Sequence, residues 1–183
     1  MLYIALLHYP VLNKEGQIVT TAVANMDIHD IARVAKTFGA NGFYIINPIE
    51  AQRDLAAAII RHWREGYGAS FNLFRKEAFE LISIKQSIND VLMEIKTKTG
   101  YKPKTIVTGA NQTKGLLTFG ELKSILKKDE LPYLLIFGTA SGIADEVTEK
   151  ADFRLEPIKG VGDYNHLAVR SAVAIILDRI TNS

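Results

Sequence analysis

The 183-residue chain carries 22 lysines and arginines against 20 acidic residues, with 48% hydrophobic residues and no cysteine. A globule of that length buries about 70% of its unfolded surface without cross-links, and the missing cysteines exclude disulfides and thiolate metal centres. The net charge of +2 is too small to name a nucleic-acid partner by itself, and His8, His29, His62 and His166 are too scattered for a metal cluster.

In chain order, Met1 to Pro10 is an apolar run without the basic start of a leader, and no stretch reaches the roughly 18 apolar residues of a membrane span. One domain over 1–183, cytoplasmic and with neither metal nor membrane partner, is the simplest expectation. Tyr3–Leu7 reads as a strand. A first helix starts at Asp27 or Asp30, carries Ile31, Val34, Ala35 and Phe38, and stops at Gly39. Gly42–Ile46 is the second strand and Asp54–Trp63 the second helix. Residues 64–79 fit least: Gly66-Tyr67-Gly68 breaks the helix, and the rest reads as a surface connection or a functional loop.

Glu80–Ile84 is the third strand. Ser87 caps a helix bearing Ile88, Val91, Leu92 and Ile95, which Gly100 and Pro103 close. Thr105–Val107 follows as the fourth strand, and Thr118 with Glu121 forms a capping box. Tyr133–Phe137 is the fifth strand, a short helix follows Gly142, and Phe153–Leu155 is the sixth strand. The last helix runs from about Asn165 to Ile180, with Val169, Val173, Ile176, Leu177 and Ile180 on one stripe. Short apolar strands alternating with helices predict an α/β fold: a single open, mostly parallel six-stranded sheet with helices on both faces.

Three glycine-bearing turns each follow a predicted strand: Thr108 to Asn111, Gly138 to Gly142, and Lys159 to Tyr164. Ligands of open α/β sheets bind beyond the carboxyl ends of the strands, so three permissive turns there can surround one small molecule. Glycine lets backbone approach a ligand closely. The clustering in the last 80 residues argues against a dinucleotide fold, whose fingerprint belongs to the first strand–turn–helix. No phosphate loop, nucleophile elbow or HExxH helix occurs.

Phe137-Gly138-Thr139-Ala140-Ser141-Gly142 resembles the Gly-x-x-x-Gly loop of the knotted SPOUT methyltransferases, especially the tRNA guanine-N1 group, whose Gly-Asp-Tyr turn Gly162-Asp163-Tyr164 also resembles. Asp27 to Arg33, followed by Phe38-Gly39, is similar to the N-terminal motif of the ribose-methylating branch, with Asp27 where an asparagine is usual, unless Asn25 is that asparagine displaced. The resemblance implies a C-terminal trefoil knot over about 105–180, S-adenosylmethionine as cofactor, an RNA substrate (tRNA or rRNA) and a homodimer. It implies a cofactor site of Thr108, Gly109, Ala110, Phe137, Gly138, Thr139 and Gly142. Leu155, Pro157, Ile158, Gly160, Val161, Gly162, Tyr164, Asn165, His166 and Leu167 complete it.

Arg33 is the candidate catalytic residue, able to grip phosphate or stabilise developing charge; otherwise it is a solvated partner of Asp30. The glutamate often seen in the Gly loop is replaced by Ala140 or Ser141, so a non-catalytic S-adenosylmethionine- or RNA-binding dimer stands as the alternative. A nucleotide-binding oxidoreductase is a third reading. Residues 61–76 interleave Arg61, His62, Trp63, Arg64, Tyr67, Phe71, Arg75 and Lys76 as RNA surfaces do, unless Trp63 is simply core. The homodimer has a second motive, an apolar stripe on the last helix longer than one small sheet covers.

Overall fold

The computed structural model describes residues 1–110, 112, 113, 115–162 and 164–182. Its centre is a seven-stranded sheet in the order β5-β4-β1-β8-β6-β9-β7, in which every pairing is parallel. The strands are β1 (Leu2–Leu7), β4 (Gly42–Ile46), β5 (Ile82–Lys85), β6 (Lys104–Val107), β7 (Leu116–Leu117), β8 (Tyr133–Gly138) and β9 (Phe153–Leu155). The expectation of six strands is corrected to seven, because β7 is only two residues long and shows no periodicity. A small antiparallel hairpin, β2 (Val11–Leu12) with β3 (Ile18–Val19), lies outside the sheet.

Side-chain alternation along the strands builds two cores. Leu2, Ile4 and Leu6 of β1 face one layer, packed by α1 (Asn25–Thr37), α2 (Glu50–Arg64), α4 (Leu73–Phe79), α6 (Phe119–Lys128) and α8 (Val169–Thr181). Tyr3, Ala5 and Leu7 face the other, packed by α5 (Ile88–Thr99) and α7 (Asp145–Lys150). Central strands covered on both faces must be apolar throughout, and all six residues of β1 are buried.

The predicted capping of α5 and α6 is present: Ser87 accepts from the Asp90 amide and Thr118 from the Glu121 amide, each in a full capping box. Three helix boundaries differ from expectation. Neither Asp27 nor Asp30 caps α1, which starts at Asn25 behind Ala24; Asp27 instead binds Arg170 at 3.2 Å. α2 begins four residues before Asp54, at Glu50. α8 begins at Val169 rather than Asn165, because residues 156–168 form a long connection.

Residues 64–79 hold two short helices, α3 (Tyr67–Phe71) and α4, in place of a loop. α2 ends where Gly66 meets it, since a Cβ there would lie 2.8 Å from the His62 carbonyl oxygen. Gly68 lies flat on Trp63, a Cβ there meeting the indole at 2.6 Å, and the Asn72 side chain caps α4 by accepting from the Arg75 amide at 3.0 Å. The stripe of α8 is used inside the chain: Val173, Ile176, Leu177 and Ile180 are buried in the first core. It therefore supplies no free face for a second copy. Among the described residues, no helix is long and apolar enough to cross a membrane, and no group of three or more metal-ligating side chains gathers.

Candidate functional site

Strand order brings the three glycine turns together. β8, β6 and β9 are neighbours in the sheet, and Val107 is level with Ile136 on one side and Arg154 on the other. The segments 108–115, 138–144 and 156–168 consequently leave the same carboxyl edge side by side, each following one of three adjacent strands. Asn111 and Asp163, named in the sequence motifs, lie outside the described residues.

The three-residue strand β9 is held at both ends by acidic side chains. Asp152 accepts from the Thr105 amide and hydroxyl, both at 2.9 Å. Glu156 accepts from the Phe119 amide at 2.7 Å, while its own amide donates to Leu117 at 2.9 Å. These bonds fix where the 156–168 segment begins. Leu155 is fully buried and Ile158 packs against the same core.

The 138–144 loop is bound to the β2–β3 hairpin. Ser141 donates its amide to Leu12 at 2.9 Å, Leu12 donates to Gly142 at 2.8 Å, and Ala144 donates to Pro10 at 3.2 Å. Its conformation is unusual: Ala140 has φ of 52° and Gly142 of 130°. A non-glycine residue in the left-handed region carries about 1 kcal/mol of strain and is held there by its surroundings.

Beneath this loop runs a polar chain of which the sequence motifs include only Thr139. His8, buried just past β1, bonds through Nδ1 to the Thr21 hydroxyl at 2.9 Å. The Thr21 and Thr139 hydroxyls are 2.6 Å apart, and Thr139 donates to the Leu7 carbonyl at 3.2 Å. With Thr139 donating to Leu7, Thr21 donates to Thr139, and the His8 Nδ1–H donates to Thr21. His8 Nε2 is then a bare acceptor, buried without a partner. Burial pushes the His8 pKa down to about 4, so the imidazole is neutral at physiological pH. Asn47, fully buried at the end of β4, donates to the Thr21 carbonyl at 3.0 Å and closes the network.

The expected cofactor residues fall into two groups. Phe137, Thr108 and Leu155 are buried at the carboxyl ends of their strands, beneath the loops. Thr108 is committed to the scaffold, its hydroxyl donating to the Ile136 carbonyl at 3.0 Å. Gly109, Ala110, Thr139, Gly142, Pro157, Gly160, Val161, Gly162, Tyr164, Asn165, His166 and Leu167 sit in the loops above. Val161, Tyr164 and Leu167 are exposed, and the Tyr164 and His166 rings meet edge to face at 5.4 Å. At Gly142 and Gly162 no other atom lies within 4 Å of where a Cβ would stand. Buried strand ends under loops with open space beside their glycines fit an adenosyl group, which needs shape and backbone partners more than charge.

Gly138 also has a packing role within the loop. A Cβ there would stand 2.6 Å from Ile143 Cγ1 and 3.1 Å from the Ile143 amide nitrogen, so its missing side chain closes the loop on itself. Arg33 is exposed on α1 and pairs with Asp30 at 3.8 Å, as its plainer reading had it. Asp30 also faces Arg170 of α8 at 3.5 Å, which links the Arg33 surface to the helix that follows the 156–168 segment. Two concavities lie elsewhere: one of about 530 Å3 beside Met1, Tyr101 and Asp129, and one of about 370 Å3 between α5 and α7. None of the expected cofactor or catalytic residues lines either.

The model of a family described as SAM-dependent RNA methyltransferases matches residues 1–182. The chain is 44% identical over 179 residues to a tRNA (guanine-N(1)-)-methyltransferase of Oleidesulfovibrio alaskensis, covering 98% of this chain and 41% of that protein. It thus spans less than half the length of that relative. It is 39% identical over 178 residues to an uncharacterized protein of Aquifex aeolicus, covering 97% of this chain and 87% of the relative. In fold it is similar to a probable methylase family protein of Haemophilus influenzae, with a TM-score of 0.65 at 16% identity over 98% of this chain and 64% of the other.

Proposed function

The chain belongs to the family of S-adenosylmethionine-dependent RNA methyltransferases, within the SPOUT superfamily that its loops resemble, and from that premise we propose that it methylates a nucleotide of tRNA or rRNA. The observation that carries this reading is the convergence of the 108–115, 138–144 and 156–168 segments at one carboxyl edge of the sheet. When bound, the cofactor supplies a methyl group already activated on a sulfonium; the chain has to bind, orient and exclude. Backbone at Gly109, Gly142 and Gly162 would hold the adenosyl group, with Phe137 and Leu155 buried at the strand ends beneath these loops. Thr139, tied to Thr21 and His8, keeps the middle loop at its height.

The reading includes the trefoil knot. β9 is reached from α7 on one face of the sheet and left for α8 on the other, and it lies between β6 and β7. That order supports a chain drawn through the 108–115 connection. It also includes one domain over 1–183 and a homodimer, for which exposed Val161, Tyr164 and Leu167 supply apolar surface where the α8 stripe does not. Sedimentation at micromolar concentration should give twice the 20.3 kDa chain mass; a stable monomer sinks this element.

Arg33 is assigned to the substrate, gripping phosphate or stabilising charge beside the attacked atom. Its pair with Asp30 is an exposed one, worth under about 1 kcal/mol to the fold. Arg33→Ala is therefore expected to leave folding and S-adenosylmethionine affinity unchanged. Transfer of tritiated methyl to total cellular RNA should drop at least about tenfold, which is about 1.4 kcal/mol of transition-state stabilisation. Equal activity in the variant returns Arg33 to a surface ion pair, and no RNA labelling under conditions of cofactor binding favours the non-catalytic reading.

A further inference from the structure

The surface of α3 and α4 exposes a run of large apolar side chains. Tyr67, Phe71, Leu73 and Phe74 are 66 to 86% exposed within eight residues, and the Tyr67 and Phe71 rings stack at 5.8 Å with 24° between their planes. The stack is presented by design of the backbone: Gly68 sets α3 directly on Trp63, so the opposite face of this one-turn helix points away from the core. Arg64 is occupied by the Phe79 and Ile82 carbonyls. Arg61 of α2 and Arg75 and Lys76 of α4 flank α3 in the chain, against a single acid, Glu65, in residues 61–76.

The surrounding charge is continuous with Arg33. The Arg75 guanidinium lies 4.7 Å over Trp63, with its Nε unpartnered. His29 of α1 meets Trp63 edge to face at 5.2 Å, and its pKa is lowered by burial and by the positive charges of Arg75 and Arg33, against the opposing pull of Asp30. Arg75 and His29 thus both meet Trp63, and Asp30, one residue beyond His29, pairs with both Arg33 and Arg170 of α8.

From these observations we propose that the α3–α4 surface is a docking platform for unpaired nucleotides of the RNA substrate. Bases stack on Tyr67, Phe71 and Phe74, and phosphates lie along Arg61, Arg75 and Lys76 toward Arg33. Flat rings serve any unstacked base, whereas a duplex keeps its bases from them, so the platform selects single-stranded segments. The inference rests on the RNA methyltransferase reading and specifies where its substrate is held.

The test is fluorescence anisotropy with a labelled unstructured 12-nucleotide RNA and a fully paired RNA of equal length, using the full chain and the exposed double variant Tyr67→Ala/Phe71→Ala. The unpaired RNA should bind the native chain more tightly, and the double variant should lose at least tenfold for it. Arg75→Gln should weaken binding and lessen its salt dependence. Calorimetry with S-adenosylmethionine should be unchanged in the double variant, which keeps failure here separate from failure of the cofactor site. Equal RNA affinity in native and double-variant chains overturns the proposal. Preference for duplex overturns it as well, and so does a patch whose substitution alters only self-association, which marks a protein interface.

Discussion

Replacing Gly138 by valine is expected to remove S-adenosylmethionine binding and to destabilise the fold together. The Cβ would stand 2.6 Å from Ile143 Cγ1 and 3.3 Å from the Gly142 carbonyl carbon. Neither can retreat cheaply. Ile143 is buried in the second core, and the loop is bonded to the β2–β3 hairpin through Ser141, Gly142 and Ala144. Overpacking of this kind costs about 1–3 kcal/mol, or roughly 3–10 °C of thermal midpoint for a chain of this size. The loop shifts that accommodate valine also disturb Thr139 and Ala140, so affinity should fall by more than about tenfold in calorimetry. Gly162→Val is the informative contrast, because its Cβ enters open space: it should leave the thermal midpoint in place and still weaken binding. A Gly138→Val protein with native midpoint and native affinity contradicts the geometry.

Acidification should unlock the same region through His8. The unfolded chain takes up this proton near pH 6.5, the native fold only near pH 4. Between those values the unfolded state binds more protons, so stability is full above pH 6.5 and falls as pH drops through the window, by up to about 3 kcal/mol. Protonation adds a donor at Nε2 where no acceptor stands. His29, also held below the ordinary histidine value by burial, adds to the loss below pH 6.5, whereas the carboxylates act at lower pH. Burial alone would raise the Glu94 carboxyl, but hydrogen bonds from Lys85 and Lys98 outweigh it and hold it at about 2; its contribution is lost mainly below about pH 4.5. Urea titrations from pH 7.5 to 4 should show the loss in the native chain and a flatter profile in His8→Asn. Parallel profiles would show that His8 does not set the acid limit.

The strands were legible because a parallel sheet covered on both faces needs short, wholly apolar runs, and Tyr3–Leu7 and Gly42–Ile46 are such runs. Capping at Ser87 and Thr118 was legible because the partner lies three residues away. What failed was too short or too distant to leave a pattern. β7, β2 and β3 hold two residues each, below any period. α3 depends on Gly68 resting on Trp63, a contact between helices, and no spacing within residues 64–79 reports it. The hydroxyl pair of Thr21 and Thr139 joins residues 118 apart. One signal for it was present: His8 and Asn47 are polar residues placed just past apolar strands, at the edge where ligands of such sheets bind. Gly138 was read by residue type as a ligand contact, and its packing on Ile143 leaves no mark in the sequence.

The central claim, that the three converging segments hold S-adenosylmethionine, is tested most directly by hydrogen exchange of the full chain with and without saturating cofactor. The account predicts slower exchange in peptides covering 108–110, 138–142 and 156–167, with the β2–β3 hairpin following through its bonds to the middle loop. Binding that leaves those peptides unchanged, or that protects α5 and α7 around the 370 Å3 concavity instead, would contradict it.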